Sequence, residues 1–351
     1  MNDVEFRNKL VAAYDIAKKQ VIGDTFKKLR MEFFCKNYFP DPEWSVGPFE
    51  TDESLTYTKT EQIPDPTGIG WRSGFIFNPS LLVENDTLYL FYRAAVKKES
   101  LCSRIGLAVY NEGEGWKDCG CNPLIYPTED DEILTIDDPK VYRANGKYYM
   151  FYNGGYYPDR DTAEKYGKKT DEVCVNVKLA VSEDKLHWEK KGVVVPLEIS
   201  RLWAKGAVIP RDGEGNAVKI NGEYYMFLSE GCGGRQYVGF SKDMENWTFR
   251  QIDYLLPTGN VNIIHEVACC IVTGADKFVL DYFYSDKEGA YHAGQALYSI
   301  SDPFRQTDTH VGGSLAWGGL SVYKGKWIFP QGWNSPDDKE EMYFYTCPLK
   351  K

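Results

Sequence analysis

Two adjacent carboxylates followed by a proline and a cation, Asp137-Asp138-Pro139-Lys140, are the first candidates for chemistry, because a positioned acid and base are what cleavage of a glycosidic bond requires. Three further segments put polar residues into otherwise apolar runs: Asn78-Pro79, Ala204-Lys205-Gly206 and Ile264-His265-Glu266. A carboxylate such as Glu266 is costly to bury alone, so it faces a channel or pairs with a cation. His265 reads first as a hydrogen-bonded structural histidine and second as a base. Neighbouring strand residues point to opposite faces, so only one of Asp137 and Asp138 is expected at a shared site.

Other chemistries lack their patterns. His187, His265, His292 and His310 do not have zinc-ligand spacing. Gly231-Cys232-Gly233-Gly234 lacks the Lys-Ser/Thr of a phosphate loop, and no Gly-x-Ser-x-Gly elbow occurs. Neither a metal nor a cofactor is expected. Carboxylates, scattered Lys and Arg, and many aromatic rings remain. Rings stack on sugar faces, so the inventory suits an oligosaccharide or glycoside substrate.

The elements that must position these residues are repetitive. One phrase, a turn and then a tyrosine-rich strand, occurs five times, at 86–93, 146–153, 222–229, 276–283 and 325–330. Its starts lie 60, 76, 54 and 49 residues apart, room for about four strands each. A second phrase, a small-residue strand and a polar turn, leads to Trp116, Trp188 and Trp247. Five four-stranded repeats without long helices predict an all-β chain, a five-bladed β-propeller over residues 36–351. The polar segments above then head inner strands around one channel. Residues 1–35 form an N-terminal helical extension: Phe6, Leu10, Tyr14, Ala17 and Val21 keep helical spacing, and a second short helix is expected through Leu29 and Phe33. This extension packs on the body or on a second copy of the chain. An insertion from Gly154 to Thr170 is expected to cover the channel mouth or to meet a neighbour.

Composition limits the partners. The 351 residues include 52 aromatic side chains, about 15%, and carry a formal charge of −10, which disfavours nucleic acid and anionic membranes. The start, Met1-Asn2-Asp3-Val4-Glu5, is polar and acidic, unlike a secretory leader, and no run of 18 apolar residues occurs, so a cytoplasmic protein is expected. Nine scattered cysteines, an odd number, read as reduced thiols.

The order of Phe77-Asn78-Pro79, Tyr92-Arg93-Ala94, Ser103-Arg104-Ile105-Gly106, Asp137-Asp138-Pro139-Lys140, Leu179-Ala-Val-Ser-Glu-Asp184, Lys205, Glu266 and Ala293-Gly-Gln-Ala-Leu297 resembles glycoside hydrolase family 130, the five-bladed propellers of mannoside phosphorylases and β-mannosidases. The resemblance implies that Asp138 is the general acid, acting through a sugar hydroxyl with inversion, and that Asn78, Arg93 and Arg104 contact the non-reducing-end sugar. Its acid is expected in a closed channel with few compensating cations, which would keep it protonated. Lys140 stands where the family has Arg, a weaker partner for phosphate. Ser229-Glu230 replaces the phosphorylases' His-Arg, and Gly206 follows Lys205 where an Asp is usual. Cations lost and a carboxylate gained favour water activation, with Glu230 or Glu266 as base, so hydrolysis of a β-mannosidic or related linkage is the first expectation. Phosphorolysis with inorganic phosphate is the second, and a sugar-binding propeller without catalysis the third. Trp71, Tyr92 and Trp203 are the expected sugar platforms.

Overall fold

In four of the five repeats the tyrosine phrase is launched by a two-residue turn with both residues at positive φ: Asn85-Asp86, Asn145-Gly146, Asn221-Gly222 and Lys324-Gly325. Such turns match the right-handed twist of a hairpin, so each folds the phrase back on the strand before it. The computed structural model describes residues 3–21, 42–58, 74–98, 100–256, 258–314, 316–333, 335 and 339–350.

The hairpins grow into the five blades of a β-propeller. Blade 1 runs outward through Phe75–Glu84, Thr87–Ala95, Arg104–Asn111 and Gly115–Asp118. Blade 2 does so through Thr135–Ala144, Lys147–Tyr156, Cys174–Ser182 and Glu189–Val193. Blade 3 comprises Tyr224–Leu228, Tyr237–Ser241 and Thr248–Gln251, with Val208 bridging Phe227 on the inner side and Ala204–Lys205 paired to Glu230–Gly231. Blade 4 uses Val261–Val272, Lys277–Asp286, Tyr291–Ser299 and Asp302–Val311. In blade 5, Ser321–Tyr323, Lys326–Gln331 and Glu341–Pro348 are completed by Glu50–Thr51 and Tyr57–Thr58, which pair with the last strand. The fifth repeat thus takes its outer edge from the N-terminal side, closing the ring.

The repeated tryptophans are staples between blades. Trp188 meets Phe91 of the preceding blade at 6.0 Å, Trp247 meets Phe151 at 5.9 Å, and Trp116 meets Phe344 at 5.3 Å. At the hub lies Arg211, fully buried. Its Nη1 donates to the carbonyls of Gly318 (3.0 Å) and Val141 (3.5 Å), and its Nη2 to Leu81 O (3.1 Å) and Ser321 Oγ (3.0 Å). Its backbone bonds Cys270 and Val272, so one residue of blade 3 ties together all five inner strands.

The N-terminal helix spans Asp3–Lys19, and Leu10, Ala13 and Ala17 are buried along one face. Val21 lies beyond the helix and is exposed. Lys9 pairs with Asp130 at 2.8 Å. The expected second helix through Leu29 and Phe33 lies outside the described residues. The eight cysteines among the described residues are free thiols, and no described helix is long and apolar enough to cross a membrane.

Candidate active site

Blades 1 and 2 break their inner strands at the same point. Pro79 and Pro139 cannot donate to the ladder, and the register slips between Phe77 and Ser80 and between Asp137 and Lys140. The residues before the prolines take up positive φ, +43° at Asn78 and +51° at Asp138. This local kink, absent from a regular strand, turns both Asp137 and Asp138 onto one cavity, contrary to the expectation that alternation would separate them. Blade 4 slips likewise between Ile264 and Glu266.

The cavity, about 470 Å³, opens at this end of the channel and brings together Asn78, Arg93, Asp137, Asp138, Lys205, Glu230, His265 and Glu266. Asp138 is its most heavily bonded member. Lys205 Nζ lies 2.9 Å from Oδ2, Arg93 Nη1 3.1 Å from Oδ1, and Asn153 Nδ2 donates to Oδ2 at 3.0 Å, with Asn78 Nδ2 donating to Oδ1. Burial pushes the Asp138 carboxyl up, but Lys205, Arg93 and these donors outweigh it and hold it well below the usual carboxylate range. The expected scarcity of cations around Asp138 is therefore not what the fold builds: Arg93 and Lys205 arrive from blades 1 and 3, and the free site holds Asp138 as an anion.

The other carboxyls go the opposite way. Asp137 is raised by burial and by the Asp138 charge. Burial raises Glu230, against Lys205 and a 3.3 Å hydrogen bond from Trp203 Nε1. Glu266 is pushed up to about 8 by burial, despite Lys140 at 3.7 Å, with Glu230 and Asp138 adding repulsion. Lys205 is raised: burial disfavours its charge, but Asp137, Asp138 and Glu230 more than compensate.

A stability test follows from Glu266. Between its ordinary value of 4.5 and about 8 the folded protein keeps a proton that the unfolded chain releases, so stability falls as pH rises through that window. Glu266→Gln is expected to gain on wild type progressively from pH 5 to pH 8, by on the order of a few kcal/mol at the upper end. Thermal unfolding at a series of pH values checks this, and parallel curves for the two proteins would refute it.

The remaining sequence candidates divide. His265 is on the wall, in tilted ring contact with Phe283 and Tyr291 at 5.1 and 5.3 Å, and burial lowers its pKa, so it is neutral at physiological pH. Lys140 lies beneath the cavity instead of on its wall. Its Nζ donates to the carbonyls of Trp317 and, at 3.3 Å, Ala268, facing Glu266. Arg104 is fully buried and bonds Ser103 O and Cys102 Sγ, away from the wall, because its strand position directs it into the blade. Tyr92 is also buried, bonded to Asp118 at 2.7 Å, and is not a platform. Trp203 does line the cavity, whereas Trp71 lies outside the described residues. The Gly154–Thr170 insertion forms a short helix, Arg160–Tyr166, and the chain then returns past Val173 and Val175 on the wall.

Sequence reading missed Asn153, Phe283, Trp317, Trp333 and Gln20. A signal existed for two of them: the eighth position of the tyrosine phrase holds Arg93, Asn153, Ser229 and Phe283, the inward end of each second strand. Gln20 sits just past the N-terminal helix, where its Oε1 accepts from Leu101 N at 3.0 Å and its residue edges the cavity.

Comparison with known proteins adds the family. The model Glyco_hydro_130, described as beta-1,4-mannooligosaccharide phosphorylase, matches residues 57–259, more than half of the chain. A 1,2-beta-oligomannan phosphorylase of Thermoanaerobacter sp. (strain X514) is 27% identical over 267 residues, 70% of this chain and 78% of that protein. A solved structure described by the words "The GH130 family of mannoside phosphorylases contains glycoside hydrolases that target beta-1,2 mannosidic linkages in Candida mannan" has TM-score 0.69 and 21% identity, covering 90% of this chain and 98% of that one. The beta-1,2-mannobiose phosphorylase of Listeria innocua has TM-score 0.60 and 15% identity, over 86% and 97% of the two chains. The structural likenesses bear on the fold and the sequence match on membership: this chain belongs to glycoside hydrolase family 130, a family of enzymes that act on mannosidic bonds.

Proposed function

We propose that the chain hydrolyses β-mannosides with inversion, with Asp138 as the acid acting through a sugar hydroxyl and the Glu230–Glu266 pair supplying the base that activates water. The observation that carries this reading is the charge arrangement of the wall. Among the described lining residues the lysine and arginine, Lys205 and Arg93, are already engaged by Asp137 and Asp138, and Glu230 and Glu266 share the wall with them. A phosphate dianion entering there meets two carboxyls and no uncommitted lysine or arginine among those residues, whereas a water molecule meets carboxyls that serve as base once ionised, Glu266 at about pH 8. Aromatic faces at Trp203, Trp317 and Trp333 suit a pyranose.

Names of relatives point to β-1,2-linked mannose, while the family description names β-1,4. We take β-1,2-mannobiose as the first substrate to test and β-1,4-mannobiose as the second. Phosphorolysis is the alternative reading, favoured by two curated relatives that are both phosphorylases, at 27% and 23% identity. Initial rates with and without inorganic phosphate decide between them. Hydrolysis predicts equal rates and free mannose as product; a rate that vanishes without phosphate and yields mannose 1-phosphate would install the alternative. Sugar binding without turnover of either mannobiose would leave a non-catalytic propeller.

A further inference from the structure

Trp333 lies outside the repeats, and neither acid nor base chemistry assigns it a task. Its indole nitrogen can only donate, and it donates to Asn78 Oδ1. An amide whose oxygen is engaged on that side turns its NH2 to the other, where Asn78 Nδ2 donates to Asp138 Oδ1. The indole is itself held firmly. Buried Lys98 donates to the carbonyls of Trp333 (3.2 Å) and Ser335 (2.5 Å), and Gln331 Oε1 accepts from the backbone N–H groups of Gly332 and Trp333 (2.9 and 3.0 Å). The ring meets Phe77 edge-on at 5.5 Å and Trp317 at 6.2 Å. Gly332 sits so near blade 1 that a Cβ there would lie 2.6 Å from the carbonyl oxygen of Ile76. The loop after the second strand of blade 5 is thus seated directly against the strand that carries Asn78.

We propose that Trp333 is a positioning residue for Asp138: its indole N–H holds the Asn78 amide in the one orientation that presents NH2, and not the carbonyl, to the Asp138 carboxylate. The orientation itself does not depend on the reaction. Only its kinetic consequence rests on Asp138 being the acid.

The groups around Asp138 are Arg93 from blade 1, Lys205 from blade 3, Asp137 on its own strand, and Glu230 and Glu266 lining the same cavity, with Lys140 paired to Glu266. All of them remain in Trp333→Phe, which keeps a ring and removes the donor. The Asn78 amide is then free to turn its carbonyl toward Asp138, where it accepts from the protonated acid and favours that form. Titration of Asp138 is expected to begin about one pH unit higher than in wild type, the scale of one lost hydrogen bond to a charged group. If the protonated form is the active acid and an ionised glutamate the base, the working form is the minority in which Asp138 keeps its proton while a glutamate has lost one, so kcat/KM at neutral pH rises by up to about tenfold in Trp333→Phe.

The test pairs a pH titration of aspartate-labelled protein, followed by the 13C carboxyl signals, with the pH–rate profile on β-1,2-mannobiose, for wild type, Trp333→Phe, and both proteins carrying Asn78→Ala. Movement of both readouts in Trp333→Phe, abolished in the Asn78→Ala background, supports the proposal. Movement of the carboxyl titration with an unchanged kcat/KM at neutral pH also supports it, and removes Asp138 as the acid instead. An unmoved titration in folded Trp333→Phe overturns it. Should that variant not fold, the Trp333 indole N–H signal is read in Asn78→Ala alone: a shift upfield is expected, and an unmoved signal overturns the proposal.

Discussion

Asp138→Asn is expected to lower kcat/KM on a β-mannoside by about 10²- to 10⁴-fold, the range that general acid catalysis contributes, with KM changed far less. Asparagine keeps the size of the side chain and one of its two acceptors, so either the Oδ2 donors Lys205 and Asn153 or the Oδ1 donors Asn78 and Arg93 retain a partner. What disappears is the proton donor and one negative charge. That charge helps to raise Glu266 and Glu230, so its removal lets both ionise at lower pH. The residual activity of Asp138→Asn should therefore reach its plateau at a lower pH than wild type if a glutamate is the base. Steady-state kinetics across pH 5–9 read both effects. Undiminished turnover would remove Asp138 from the chemistry, and a residual profile displaced toward higher pH would remove the glutamates.

Arg211→Met should be the most destabilising single change away from the cavity. The guanidinium serves acceptors on blades 1, 2 and 5 while its own backbone is bonded to blade 4. Removing it deprives Val141 O and Ser321 Oγ of this donor, while Gly318 O keeps Ser80 Oγ and Leu81 O keeps Ser321 Oγ, so two acceptors at about 1–3 kcal/mol each give a loss of roughly 2–6 kcal/mol. Against a typical stability of about 5–15 kcal/mol this is a large fraction. Arg211→Lys should recover little, because an ammonium is a point donor that cannot reach the same set of carbonyls as a planar fork. Denaturant unfolding followed by tryptophan fluorescence checks the order wild type, Lys, Met. A midpoint for Arg211→Met within error of wild type would show that the hub is held by strand packing alone.

What could be read from the sequence was whatever every blade repeats. The tyrosine phrases are legible because four of the five need the same hairpin turn and all share an apolar strand, and the tryptophan phrases because each staples its own preceding blade. The positions of Asn78, Asp138, Lys205 and Glu266 were legible as polar interruptions at one point of that repeat. Three things were not. The outer edge of blade 5 comes from Glu50–Thr51 and Tyr57–Thr58, nearly 300 residues away in the chain, so nothing local announces it. Both Asp137 and Asp138 reach the cavity because a proline-linked bulge overrides alternation. The charge state of Asp138 depends on Arg93 and Lys205, whose approach is set by blade packing and not by sequence spacing. Trp317 and Trp333 escaped for a related reason: they sit in irregular segments of blade 5, outside any phrase.

The central claim is that this carboxylate-lined cavity uses water as the nucleophile with inversion. It is tested most directly by following the anomeric protons of β-1,2-mannobiose by NMR in phosphate-free buffer from the first minutes of the reaction. The account predicts turnover without phosphate, with α-mannose formed first from the non-reducing sugar and mutarotating afterwards to the mixture. Absence of turnover until phosphate is added, with α-mannose 1-phosphate as the product, would contradict it, as would β-mannose appearing first.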